Sequence, residues 1–235
     1  MLTILIGRAK TGKSDTMLRR MAELGESIQQ ILLVPEHASH QAEVDVCSAC
    51  GDTASRHAEV LSFRRLGERV LSITGGIADV TLDNGGKLLT LQRALLETAP
   101  QMTVYRKPSQ KVGFLEQMLA LFDELQSYEV TPEILYQQAQ NIDGATHDKL
   151  TDLSLLYAAY EARLRRPGLD ARDRMTKLCD HLEESGYVRG KDIFIDGFTY
   201  FNAQERRALA IFLRQARSVT VTLLGEVNSR EEIFE

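Results

Sequence analysis

The apolar run Leu2-Thr3-Ile4-Leu5-Ile6 leads directly into Gly7-Arg8-Ala9-Lys10-Thr11-Gly12-Lys13-Ser14, and no other stretch limits the fold as strongly. A strand, a G-x-x-x-x-G-K-[ST] loop and a helical pattern running to about Leu24 form the P-loop arrangement. Its chemistry suits a triphosphate. Convergent backbone N–H groups and a helix N-terminus with about half a positive charge face the anion. Gly7, Lys10, Thr11, Gly12, Lys13 and Ser14 are therefore the candidate nucleotide-binding residues. Lys13 would reach the β- and γ-phosphates, and the Ser14 hydroxyl would hold Mg²⁺. ATP and Mg²⁺ are the implied ligands.

A strand that feeds such a loop needs partners. Four further apolar runs read as buried parallel strands: Ile31–Val34, Val60–Ser62, Asp192–Asp196 and Val219–Leu224. Helical patterns between them imply right-handed crossovers. Asn202 with Glu205 three residues later predicts a capping box that opens a helix to Gln215. From about Leu82 to Tyr187 the strand signal fades. Val112–Tyr128 and Lys149–Arg166 carry apolar residues at helical spacing, Pro132 opens a helix between them, and Asp170 is placed to cap a later one. Thr103–Gly113 reads as a loop. The expected fold class is α/β, a P-loop NTPase parallel sheet interrupted by an all-helical subdomain. Its expected parts are residues 1–81, 82–187 and 188–235.

Composition excludes several classes. The hydrophobic share of 43% supports a folded core, and no stretch approaches the ~18 apolar residues of a membrane span. No membrane association is expected. The three cysteines, Cys47, Cys50 and Cys179, supply no disulfide framework and suit a reducing, cytoplasmic setting. Cys47-x-x-Cys50 lacks the second pair that a zinc site needs, and His37 and His40 lack zincin spacing. With a net charge of −5, any nucleic-acid contact must come from local patches. Arg64-Arg65, Arg163-x-Arg165-Arg166 and Arg206-Arg207 are the candidates, although such runs are more often solvated helix faces.

A P-loop enzyme also needs a second acidic site. Ile193-Phe194-Ile195-Asp196 supplies a strand ending in a carboxylate suited to Mg²⁺. The next residue is Gly197, which has no side chain to orient or deprotonate water. Glu205 is better explained by the capping box than as a replacement base. Nucleotide and Mg²⁺ binding with at most weak hydrolysis is the expectation.

Several ordered segments resemble the N-terminal part of AddB, the B subunit of bacterial AddAB-type ATP-dependent helicase–nucleases. They are the P-loop, Leu33-Val34-Pro35-Glu36-His37 with Gln41-Ala42-Glu43, and Val60-Leu61-Ser62-Phe63-Arg64-Arg65-Leu66. Gly113-Phe114-Leu115-Glu116, Leu156-Tyr157-x-x-Tyr160-Glu161 and Ile195-Asp196-Gly197-Phe198-Thr199 with Phe201 and Gln204-Glu205 complete the set. The resemblance implies a superfamily 1 helicase-like domain 1A, in a family that processes double-strand DNA ends for recombinational repair. It further implies a subunit that holds or scans single-stranded DNA for the Chi sequence rather than driving translocation. Its expected partners are DNA ends, single-stranded DNA and an AddA-type helicase/nuclease subunit in a heterodimer. An iron–sulfur cluster is implied only in a C-terminal nuclease part that this sequence lacks, and none of the three cysteines matches its ligands. On this resemblance the chain is expected to be the front of a longer subunit. Ser62, Phe63, Arg64 and Arg65 are candidate DNA contacts, with the loop Phe198-Thr199-Tyr200-Phe201-Asn202 after the acidic strand as a second candidate and Gln41 as a weaker one. The alternative is a self-contained P-loop nucleotide or metabolite kinase, for which the Val-Pro-Glu and Ile-Asp-Gly-Phe-Thr segments have no explanation.

Overall fold

A computed structural model describes residues 1–75, 82–106, 112–166, 169–170 and 174–225. The chain forms two compact units, one of residues 1–77 and 174–235, the other of residues 78–173.

The first unit is built on a five-stranded sheet. Its strands are β1 (Leu2–Gly7), β2 (Gln30–Leu33), β3 (Ala58–Leu61), β6 (Asp192–Ile195) and β7 (Ser218–Leu224). They lie in the order β1-β7-β6-β2-β3, and every pairing is parallel. All five apolar runs read from the sequence are these strands. Side chains alternate between two covered faces, as a parallel sheet requires. Ile31, Leu33, Ile193, Ile195, Val219 and Val221 meet helices α4 (Phe63–Thr74), α9 (Arg174–Ser185) and α10 (Ala203–Gln215). Leu32, Val34 and Phe194 meet α1 (Lys13–Leu24), α2 (Ser39–Cys50) and the short α3 (Ala54–His57).

The second unit is helical: α5 (Asn84–Thr98), α6 (Val112–Ser127), α7 (Pro132–Gln140) and α8 (Ala145–Leu164). Pro132 sits in the first turn of α7 and the Thr131 hydroxyl caps it, which satisfies an otherwise orphaned N–H. Phe122, fully buried, stacks on Tyr157 with ring centroids 4.6 Å apart and reaches Tyr160 at 5.8 Å. At the end of α5 the chain turns back toward α8. There the buried Asp152 carboxylate accepts N–H bonds from Thr103 (3.0 Å), Val104 (2.7 Å) and Tyr105 (2.9 Å).

Two features differ from the sequence reading. The expected insert reached residue 187, but α9 belongs to the sheet unit, where Leu178, Cys179 and Leu182 are buried against its core. Asp170 does not cap a helix. It lies in the two-residue strand β5 (Leu169–Asp170), antiparallel to β4 (Arg165–Arg166), and α9 begins four residues later. Lys107-Pro108-Ser109, within the expected loop, lies outside the described residues.

Candidate functional site

The candidate residues gather at the C-terminal ends of the parallel strands, where open α/β sheets place their ligands. Gly7 ends β1, the loop follows, and α1 starts at Lys13. A Cβ on Gly7 would come within 2.5 Å of the Thr11 hydroxyl, so glycine is what lets the loop fold back so tightly. Lys10 is held at φ 59°, a left-handed conformation that costs a side-chain-bearing residue roughly 1–2 kcal/mol. The Lys13 ammonium donates to the carbonyls of Gly7 and Arg8, each at 2.7 Å, and so sits over the loop. Thr11 closes the turn by donating to the Arg8 carbonyl at 2.8 Å. No side chain caps the N-terminus of α1, and Ser14 is exposed in its first turn. An uncapped helix start beneath a lysine fits a phosphate group.

Asp196 follows β6, two strands from β1, with β7 between them. At ~4.8 Å per strand the two strand ends stand about 10 Å apart. The intervening strand contributes Thr222, whose hydroxyl donates to an Asp196 carboxylate oxygen. Thr222 was not singled out in the sequence. A signal existed: Ser218, Thr220 and Thr222 alternate with valines along a strand otherwise written for burial, so one face of β7 is polar. Glu205 accepts from the Asn202 N–H at 2.9 Å while Asn202 accepts from the Glu205 N–H at 2.8 Å. The capping box thus occupies the Glu205 carboxylate.

The neighbouring crevice, about 510 Å³, opens between the ends of β2, β3 and β6. Ser62, Phe63, Arg64 and Phe198 all line it, but they serve it differently. The Ser62 hydroxyl is buried, donates to Glu36 and accepts the Arg65 N–H as the cap of α4. Phe63 is buried and meets Phe198 edge-on at 5.6 Å, and Phe198 in turn stacks on Phe201 at 5.1 Å. This aromatic row packs against the core beneath α4, α9 and α10. Phe63 is therefore a packing residue with no free ring face for a base. Arg64 reaches into the crevice and is half exposed. It bonds Glu36 at 2.5 and 3.1 Å and Glu68 at 2.8 Å.

Arg65 does not join Arg64. Adjacent helical residues diverge by about 100°, and Arg65 turns to the outer edge of β3. There it pairs with Glu43 at 2.6 Å and donates to the Val60 carbonyl at 3.4 Å. Gln41 lies on α2 and donates to Asp45 at 2.8 Å. The other arginine runs are also engaged. Arg163 pairs with Glu97, Arg165 with Glu161 at 3.1 Å, and Arg207 with Asp180 at 2.8 Å. Arg206 donates to the Phe201 carbonyl at 2.5 Å.

One crevice residue, Glu36, escaped the sequence reading as a site candidate. Tyr200 is 73% exposed at the rim. Glu36 is held below the usual carboxylate range, first by its bonds from Arg64 and then by the Ser62 hydroxyl. Glu36 was visible only as part of the Val-Pro-Glu segment, whereas Tyr200 lay in the candidate loop after Asp196. Among the described residues no cluster of His, Cys, Asp or Glu could hold a metal ion by itself, and no helix is long and apolar enough to cross a membrane.

The family profile described as "ADDB, N-terminal" matches residues 4–234. Similar proteins are named as the B subunit of an ATP-dependent helicase/deoxyribonuclease. The one from Clostridium kluyveri is 31% identical over 241 residues, covering 99% of this chain and 21% of the relative. Those from Thermoanaerobacter sp. (strain X514) and Clostridioides difficile are 32% and 31% identical over 94% and 99% of this chain. The chain thus spans about a fifth of the length of the curated relatives it matches. A match over nearly every residue establishes that the chain belongs to the AddB N-terminal family.

Proposed function

We propose that this chain is the ATP-binding, helicase-like front of a helicase–nuclease subunit that works with a partner subunit on DNA ends in recombinational repair. In this reading it holds or scans single-stranded DNA and is at most a weak ATPase. One observation carries the proposal. The P-loop, Asp196 and the crevice between Arg64 and Tyr200 all lie at the same end of one parallel sheet, so a nucleotide and a strand of DNA would meet the same set of strand termini. Gly7–Ser14 would cradle the phosphates, and Ser14 with Asp196 would hold Mg²⁺, which would screen the phosphate charge. Thr222 orients the Asp196 carboxylate. At the crevice, Arg64 supplies the phosphate attraction and Tyr200 the exposed ring, with Phe63 and Phe198 along its wall. The names of the relatives support an ATP-dependent hydrolase complex with a companion subunit.

The tests separate binding from turnover. Lys13→Ala is expected to abolish ATP binding measured by fluorescence. Unchanged affinity would defeat the P-loop reading. Arg64→Ala is expected to weaken single-stranded DNA binding and reduce its salt slope by about one. Arg65→Ala is expected to leave both unchanged, since that side chain faces the other way. Equal effects from the two substitutions would place the DNA elsewhere.

A further inference from the structure

Cys47 and Cys50 take no part in the nucleotide or DNA sites, yet the fold sets them side by side. Both lie in the last turn of α2, three residues apart, where side chains share one face. Both are free thiols. Among the described residues they belong to no group of three or more His, Cys, Asp or Glu that could hold a metal ion. Their surroundings differ. Cys47 is exposed on the wall of a groove of about 650 Å³ along β3, with Arg65 and Arg69 also in its lining. Cys50 is half-buried and packs against the layer of Met17, Val46, Ala54 and Ala58. Burial first, and then the charge of Cys47, push the Cys50 thiol up. Cys50 is therefore the shielded, protonated partner, and Cys47 is the sulfur that a reagent from solution meets.

Spacing decides whether the two sulfurs can be joined. Three residues apart in an α-helix, the Cα atoms stand about 5 Å apart, inside the ~4.4–6.8 Å that a disulfide spans. The Cβ atoms, at about 5–6 Å, are farther apart than the ~3.5–4.5 Å of an unstrained bridge. The last turn must therefore tighten. Cys50 is the final residue of α2, and Gly51 leads the chain away at φ 76°, so no further helical turn has to follow. Tightening exchanges the 2.9 Å bond from the Gly51 N–H to the Cys47 carbonyl for a 3₁₀ bond, and in a 3₁₀ turn residues i and i+3 eclipse. A bridge made in this way is exposed and strained, and such bridges are the readily reduced ones.

We infer that Cys47 and Cys50 form a reversible dithiol–disulfide pair, a modification site for low-molecular-weight disulfides such as oxidised glutathione. The Cys47 thiolate attacks one sulfur of the reagent. The reagent's S–S bond breaks, one thiol leaves with the electron pair and takes up a proton, and a mixed disulfide remains on Cys47. Cys50 then loses its proton and attacks the Cys47 sulfur, and the second thiol leaves in the same way. The pair has given up two electrons and two protons, and the reagent has become two thiols. Closure draws Cys47 off the groove wall toward Cys50, so the groove beside β3 is the surface that oxidation reshapes.

Glutathione buffers test it. The chain is equilibrated at rising ratios of oxidised to reduced glutathione, alkylated and mapped by mass spectrometry. The expected product is a bridge between Cys47 and Cys50, seen as a loss of about 2 Da and the loss of both alkylations. Dithiothreitol is expected to restore both thiols, and the buried Cys179 is expected to stay reduced throughout. Cys50→Ser is expected to accumulate the glutathione adduct on Cys47, because nothing remains to displace it. A persistent adduct on Cys47 in the unsubstituted chain would overturn the inference, since Cys50 would then fail to reach it. Bridges between two chains, or two free thiols at every ratio, would overturn it as well. An unmodified Cys47 in Cys50→Ser would refute the order of attack and the inference with it.

Discussion

Position 197 shows how one backbone angle bears on catalysis. Gly197 has φ 79°, and a Cβ there would lie 3.4 Å from Cδ of Pro35. The residue after Asp196 is thus held in a conformation that favours glycine. A carboxylate placed there would bring backbone strain of order 1–3 kcal/mol. Gly197→Glu is therefore expected to lower stability by about 1–2 kcal/mol, read as a fall in Tm, without raising ATP turnover. A gain in turnover at unchanged stability would mean that the loop readily adopts another course. Glu36 supplies a second residue-scale test. Its pKa is lowered in the folded chain, so its contribution is complete above the ordinary value of 4.5 and is lost as pH falls through the folded value. Stability measured from pH ~5 down to ~3 should fall less steeply in Arg64→Ala than in the unsubstituted chain. High salt should shrink the difference, because the pair is half exposed.

At the scale of elements, the strands and several helices were legible because their signals are local. Each buried strand is a short apolar run, and the Asn202–Glu205 capping box is written in two letters and formed as read. Other features depend on contacts that no window of sequence contains. The stripe of α9 shows that the helix has a buried face but not which core receives it, hence its misplacement with the insert. Arg64 and Arg65 read as one basic patch, and only the helix beginning at Phe63 sends them to different sides. Asp152 gave no signal at all, because its partners lie 47 to 49 residues away. Its three N–H bonds make a strong prediction. Asp152→Ala leaves buried donors unpaired and is expected to destabilise the helical unit by about 3 kcal/mol. Faster exchange of the Thr103, Val104 and Tyr105 amides should accompany the loss. Normal exchange there would show that water or another acceptor takes the place of the carboxylate.

At the scale of the whole molecule, the chain leaves the sheet unit after α4 and re-enters it at α9, and each unit has its own core. The sheet unit buries Ile31, Leu33, Ile193 and Phe212 between layers, whereas the helical unit buries Leu91, Phe122 and Tyr157. Exit and re-entry are close, because α4 and α9 pack side by side. The Arg174 carbonyl lies 3.8 Å from where a Cβ on Gly67 would stand, and Arg174 pairs with Glu68 at 2.9 Å. From there to the end of α4 is six residues, or about 9 Å of helix. A flexible linker of about eight residues can span that gap at little entropic cost. Replacing residues 78–173 by such a linker is therefore expected to leave a folded five-stranded sheet. Cooperative thermal unfolding and retained protection of the β2 and β6 amides would report it. The excised chain should also keep whatever ATP affinity the intact chain has, since Gly7–Ser14, Asp196 and Thr222 all belong to the sheet unit. A chain that collapses into a non-cooperative state would show that the helical unit contributes to folding the sheet, despite the separation of the two cores.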